Sequence, residues 1–244
     1  MKITVNKDTL INKFIAPVSK VAERCVISLY PDHIQSLVAS PDGNPILYAH
    51  VTTSCDIGDE KEVCLNIPNL NKLSRILSCL PSENIELQVN SNSIEYSSPN
   101  MRFKYHLLED GVIEKAPVKL EKIKELQFNS DFIIDKDKVA EIMKGTTFAT
   151  DTKKIYFYTK DGNVYAELTD RELANTDSVS YFITDEFSGE ELKIPILIDL
   201  EIFKMFYGLK QDIIAKINSK TKVIMFKFED VGYKLQYIVA PLKK

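Results

Sequence analysis

Two stretches of this chain repeat each other at nearly one offset, and that constrains the fold more than any single residue does. Leu65 to Leu108 aligns on Pro195 to Ile238 at a constant shift of 130. Leu70, Leu73, Ile76 and Leu77 then fall on Leu200, Phe203, Phe206 and Tyr207, the apolar stripe of a short amphipathic helix. Ile94 and Tyr96 fall on Ile224 and Phe226, and Phe103, Tyr105 and Leu107 on Tyr233, Leu235 and Tyr237. Those positions alternate, as strands with one buried face do. A second block matches at a shift of 129: Asn6-Lys7-Asp8 on Asp135-Lys136-Asp137, Leu10 on Val139, Phe14 on Met143 and Val26 on Ile155. One such block arises easily by chance; two at nearly the same offset do not.

A chain written twice on one plan predicts two similar domains. Each half reads strand, helix, three or four strands, helix, three strands, an α+β fold with two helices per domain packed on antiparallel sheets. The helices are expected near Asp8–Arg24, Asn69–Leu80, Asp137–Thr147 and Asp199–Leu209, with Asp8, Asn69, Asp137 and Asp199 as N-caps. Asp42-Gly43 and Asp161-Gly162 read as hairpin turns between alternating strands. A charged stretch with Gly111 and Pro117 separates the halves, giving domains over residues 1–110 and 126–244 and a connector over 111–125.

Chemistry is hard to find. The sequence has no G-x-x-x-x-G-K, G-x-G-x-x-G, H-E-x-x-H or G-x-S-x-G, and its 8 glycines are too scattered to cradle a phosphate. Asp170-Arg171-Glu172 and Asp185-Glu186 could be paired carboxylates, but solvated charges at strand ends are the simpler reading. Asp56, Asp59 and Glu60 lack the ligand spacing of a calcium loop. The three histidines stand apart, and Cys25, Cys55, Cys64 and Cys79 show no C-x-x-C pair, so no metal, cofactor or disulfide framework is expected. That cysteine usage suits a reducing, intracellular compartment. No apolar run approaches the ~18 residues of a membrane span, and the N-terminus lacks a signal-peptide core. The expectation is a non-enzyme.

The 244-residue chain has a formal net charge of −4, which argues against nucleic acid until the cations are placed. Lys13, Lys20 and Arg24 lie on the first predicted helix, spaced seven and four, and Lys72 and Arg75 on the second. Lys136, Lys138 and Lys144 lie on or beside the third, and Lys204 and Lys210 on or beside the fourth. Only Glu23, Glu141 and Glu201 interrupt the set, while acids gather in Asp56–Glu62, Asp185–Glu191 and Glu229-Asp230. A basic face repeated on four helices of an acidic chain suits a surface that follows phosphates without reading sequence. Lysine and arginine are also common on any solvated helix face, and the repetition decides between the two readings.

With these residues in place, the chain resembles the DNA sliding clamps, which include proliferating cell nuclear antigen and the processivity clamps of T-even-like phages. The closing Gly232-Tyr233-Lys234-Leu235-Gln236-Tyr237-Ile238-Val239-Ala240-Pro241 is similar to the clamp C-terminus. Leu73-Ser74-Arg75-Ile76-Leu77 followed by Asn84-Ile85-Glu86-Leu87 resembles the second helix and next strand of the first clamp domain. Ser28-Leu29-Tyr30-Pro31-Asp32-His33-Ile34 resembles the strand and loop beside the partner groove. The diverged second half leans towards the phage type.

The resemblance implies a DNA clamp fold forming a ring, with sheets outside and helices lining the hole. It implies a polymerase processivity factor: a homotrimer that encircles double-stranded DNA independently of sequence, tethers a DNA polymerase and is opened by an ATP-driven clamp loader. The ten cations above would face the hole. Strand Met101–Leu108 would meet Ser178–Thr184 of the next subunit, with Tyr105, Val179, Tyr181 and Ile183 near the contact. Partner peptides would dock at Tyr30, Ile34, Val118, Leu120, Ile238, Ala240 and Pro241. Val118-Lys119-Leu120-Glu121 reads as alternating, so Val118 and Leu120 either form a groove wall or pin the connector to its own domain. The setting would be a bacterial host's cytoplasm for a phage clamp, or the nucleus for a eukaryotic one. The competing readings are a DNA-binding processivity or interaction module that forms no ring, and a small hydrolase with an unrecognised site.

Overall fold

Alternating apolar positions produce strands and the 3.6-residue stripes produce helices, and in this chain the two follow each other in the same order twice. In the computed structural model, which describes residues 1–242, the first half runs β1 (Lys2–Asn6), a π-helical stretch (Thr9–Ile15) continuing into α1 (Ala16–Val21), then five strands. These are β2 (Cys25–Leu29), β3 (His33–Ala39), β4 (Ile46–Thr52), β5 (Ser54–Asp56) and β6 (Val63–Ile67). They are followed by α2 (Leu70–Ser78), β7 (Asn84–Asn90), β8 (Ser93–Ser97), β9 (Arg102–His106) and a short α3 (Leu120–Lys124). The second half has β10 (Ser130–Ile134), α4 (Lys136–Gly145), β11 (Lys154–Lys160), β12 (Asn163–Leu168), β13 (Val179–Thr184), β14 (Phe187–Gly189) and β15 (Ile196–Asp199). It closes with α5 (Leu200–Lys204), β16 (Ile213–Ile217), β17 (Ile224–Asp230) and β18 (Tyr233–Val239).

The chain divides into two compact units, Met1–Lys124 with Glu229–Leu235, and Glu125–Phe228 with the remainder. Strand orders in the first unit are β5-β1-β7-β8-β9 and β4-β3-β2-β6; in the second they are β14-β10-β16-β17-β18 and β13-β12-β11-β15. Both are one antiparallel plan, so the repeat read from the sequence is a repeat of topology. Between the two helices of each half lie five strands rather than three or four. β5 and β14 span only three residues, too few for alternation to show.

In the first unit Phe14, Ile15, Val18, Leu73 and Leu77 of the helical elements are buried, as are Ile3, Val5, Ile85 and Leu87 of the strands. The π stretch packs on β1 and β4, and α1 on β3 and β4. The second unit has an aromatic core: Phe206 lies 4.9 Å from Phe226, 5.2 Å from Phe228 and 5.0 Å from Tyr237 between ring centroids. Each such ring contributes about 1.5–3 kcal/mol on burial, so these clusters anchor their units.

The helix starts follow the repeat. Asn69 Oδ1 accepts from Lys72 N at 2.7 Å and Asp199 Oδ1 from Glu201 N at 2.8 Å, as expected. The other two caps lie two residues earlier than expected. Asp135 Oδ1 accepts from Asp137 N at 2.7 Å, and Asn6 Oδ1 from Thr9 N at 3.1 Å, whereas Asp8 makes no cap. Asn6 and Asp135 are themselves equivalent in the 129-residue block. The first helix is also not uniform. Pro17 has no N–H and its ring displaces the carbonyl four residues back, so the preceding turns widen and Ala16 N bonds to Ile11 O. The last predicted helix shortens to α5 and continues as i to i+3 turns, with Phe206 N on Phe203 O and Tyr207 N on Lys204 O.

The Asp161-Gly162 hairpin is a two-residue turn with both φ values positive, +52° and +79°. Asp42-Gly43 instead sits in a longer loop, closed by Ser40 N to Pro45 O and Gly43 N to Ser40 O. The connector does not alternate as predicted. Leu120 opens α3, whose Lys122 and Ile123 amides both bond to Lys119 O, and Ile123 is the side chain that buries.

Candidate nucleic-acid interface

Exposed cations without local partners are the raw material of a phosphate-following surface, so the ten predicted positions are sorted by what their side chains do. In the first unit Lys20, Arg24, Lys72 and Arg75 are exposed. Lys72 and Arg75 share one face of α2, opposite the buried Leu70, Leu73 and Leu77. Lys13 departs from this set. The widened π turn takes it off the row of Lys20, and its ammonium lies 5.0 Å from the centroid of the Tyr233 ring, half-buried. Arg24 lies beyond the end of α1 at Val21, so it extends from a loop, not from the helix face. Asn69, whose side-chain amide donates to Glu23 Oε1 at 2.8 Å, holds that loop against the start of α2.

In the second unit Lys136, Lys144, Lys204 and Lys210 are exposed and Lys138 is half-buried. Two are occupied locally. Lys138 pairs with Glu141 at 2.8 Å and Lys204 with Glu201 at 2.6 Å, both i,i+3 pairs of the kind that contribute little on a surface. Lys210 follows α5 and its trailing turns and lies on no helix. Among the described residues Arg24, Lys72, Arg75, Lys136, Lys144 and Lys210 have no ion pair.

The Asp170-Arg171-Glu172 triplet does not form an acid–base pair. Asp170 and Glu172 both hold Lys154 Nζ, at 2.8 and 2.6 Å, and Lys154 keeps the Asp170 carboxyl below the usual carboxylate range. Arg171 pairs with Glu167 and lies over Tyr156 and Tyr158, 4.9 and 5.3 Å from their centroids. Among the described residues no group of three or more His, Cys, Asp or Glu could hold a metal ion, and no helix is long and apolar enough to cross a membrane.

The predicted contact residues separate by exposure. β9 and β13 are both end strands, so each presents a row of unpaired backbone groups. Tyr105 nevertheless turns inward: its hydroxyl donates to Asn69 O at 2.7 Å and accepts from Asn69 N at 3.0 Å. Its role in this unit is to seat α2. Ile183 is buried, Val179 and Tyr181 are half-exposed, and the Tyr181 ring closes on Gly145 at the end of α4. The outward side chains on β9 are Arg102, Lys104 and His106, and on β13 Phe182, 45% exposed. The two strands are those expected at the contact, but the side chains expected there are on the opposite face from these four. Alternation shows that successive side chains point opposite ways and not which set meets the core.

Of the predicted partner residues, Tyr30, Val118, Leu120 and Pro241 are half-exposed and Ala240 is exposed. Ile34 and Ile238 are buried. Ile34 sits on the inward face of β3, the alternate face from His33 and Gln35, so it supports the strand and is closed to a peptide.

Two units that share one antiparallel plan, each with two helical elements packed against its sheets, define a class: the fold is that of the DNA sliding clamps. The chain superposes over 100% of its length on 98% of the chain in a structure of the C-terminal region of FEN-1 bound to A. fulgidus PCNA, with a TM-score of 0.78 at 16% identity. Proliferating cellular nuclear antigen from Entamoeba histolytica gives 0.78 at 14% identity, over 99% of this chain and 98% of that one. A putative DNA polymerase III beta subunit from Eubacterium rectale gives 0.74 at 14% identity, with all of this chain spanning 66% of that one. No protein-family profile and no curated protein matches the chain.

Proposed function

We propose that this chain is a DNA sliding clamp, a non-enzymatic processivity factor of the phage type. Three copies close into a ring around duplex DNA, tether the replicative polymerase and are opened by an ATP-driven loader, inside the cell. The observation that carries the reading is the exposed cation set on the helices of both units, above all Lys72 and Arg75 on α2 and Lys136 and Lys144 on α4. These charges lie on the solvent side of the second helix of one unit and the first helix of the other, at positions that the repeat does not equate. What the two units share is a basic helix surface and not a matched set of residues. Their contacts with phosphates are weak, sequence-independent and salt-sensitive, which lets a ring slide.

Closure uses the free edges. β9 of one copy meets β13 of the next, and Tyr30, Val118, Leu120, Ala240 and Pro241 receive partner peptides. Light scattering of the chain at several concentrations tests closure. The expected mass is three times the 27.8 kDa chain. A monomer at high micromolar concentration would leave a DNA-binding module that forms no ring.

A further inference from the structure

On the face of the first unit that carries Tyr30, three rings stand in one stack and a fourth lies tilted at its end. Tyr30 lies on His33 with 4.4 Å between centroids and 8° between planes, and His33 lies on His50 at 4.7 Å and 26°. Tyr48 ends the row, 6.4 Å from His50. Gln35 ties the two ends together: its Nε2 donates to the Tyr30 hydroxyl at 3.1 Å, and its Oε1 accepts from the Tyr48 hydroxyl at 3.0 Å. The register of β3 on β4 produces this stack. Gln35 faces His50 and His33 faces Thr52, so the two histidines are diagonal neighbours on one side of the sheet.

The charges around the stack are unequal. Asp32 Oδ1 lies 2.7 Å from His33 Nδ1. His50, half-buried on β4, has the Lys234 ammonium acting on it from β18. Glu62 and Cys64 act on the Tyr30 end, and Lys234 is itself paired with Glu229 at 3.3 Å. A positive charge on His33 is therefore matched by a carboxylate, whereas one on His50 meets an ammonium and poor solvation.

We propose that the His33–His50 stack is a proton-operated switch: it stays closed while the His50 ring is neutral, and parts, loosening the Tyr30 end of the row, when His50 takes up a proton. A charge on His50 sits half-buried near the Lys234 ammonium with His33 stacked 4.7 Å away, while the nearby carboxylate, Asp32, is held at His33 Nδ1. Burial first, then His33 and Lys234, push the His50 imidazole below its ordinary value. The stabilisation from the closed stack is therefore complete above the ordinary imidazole range and is lost as the pH falls through the depressed value. Its bearing on partner docking rests on the clamp reading, because Tyr30 is one of the docking residues; the switch itself does not.

The test is an NMR titration of the full chain from pH 7.5 to 4.5, following the His50 imidazole and the ring-current-shifted Tyr30 resonances. The His50 midpoint is expected below about 6.5, with the Tyr30 shift collapsing at that same midpoint. Lys234→Gln, a change outside the stack, should raise both midpoints together, because it removes an ammonium that disfavours the His50 imidazolium. His33→Gln should raise the His50 midpoint and abolish the Tyr30 transition. A Tyr30 resonance that stays still while His50 titrates, or that keeps its midpoint when Lys234→Gln moves that of His50, overturns the switch. None of these readouts depends on DNA or on the oligomeric state, so failure of the switch and failure of the clamp reading are separable.

Discussion

Two tyrosine hydroxyls show how burial alone does not define a residue's worth. Tyr237 is fully buried among Phe206 and Phe228, and its hydroxyl has no hydrogen-bond partner among the described residues. Desolvation pushes its phenol far up, the expected sign for a group denied water and acceptor alike. Tyr237→Phe should leave the fold intact and raise stability by about 1 kcal/mol, read from the urea midpoint. Tyr105 is the opposite case. Its hydroxyl satisfies both backbone groups of Asn69, so Tyr105→Phe leaves a donor and an acceptor stranded and should cost about 1–3 kcal/mol. Asp170 gives the pH dependence. Lys154 lowers its carboxyl in the folded state, so the pairing stabilises above the ordinary carboxylate range and fades as pH falls through the depressed value. Urea midpoints of the parent and Asp170→Asn should differ at neutral pH and converge in acid.

At the scale of elements, α2 is the most legible part of the chain. Its cap, its buried Leu70, Leu73 and Leu77 and its exposed Lys72 and Arg75 all follow from local periodicity. Replacing Lys72 and Arg75 by Glu changes only the solvent side, so thermal stability should stay within about 0.5 kcal/mol of the parent. Retention on DNA at low salt should fall, measured as a weakened salt-dependent slope; unchanged retention would show that α2 does not face DNA. The first helix was legible only in part. Pro17 is visible in the sequence, but the wider turn before it moves Lys13 onto Tyr233, a residue 220 positions away. The connector misled for a related reason: the alternation of Val118 and Leu120 is two turns too short to tell a strand from the start of α3.

For the molecule as a whole, ring closure and sliding make a joint prediction. Scattering mass should report three chains, and retention on DNA should fall steeply with salt while showing no preference among sequences of equal length. Leu120→Ala, at a half-exposed position, should keep the trimer and weaken binding of the polymerase C-terminal peptide by about 2 kcal/mol, measured by titration calorimetry. Ile34→Ala is no test of docking, since a buried isoleucine lost from β3 acts on stability. What the sequence by itself determined is the plan: a unit written twice, the alternation of its strands, the stripes of its helices and three-residue rules such as the caps at Asn69 and Asp199. These depend on neighbours a few positions apart. Only the tertiary structure decided which side chains of that plan remain available. Tyr105 is taken up by Asn69, Lys13 by Tyr233 and Lys154 by Asp170 and Glu172. Each of those outcomes depends on strands brought together across tens to hundreds of residues, and on burial and desolvation that no local pattern encodes.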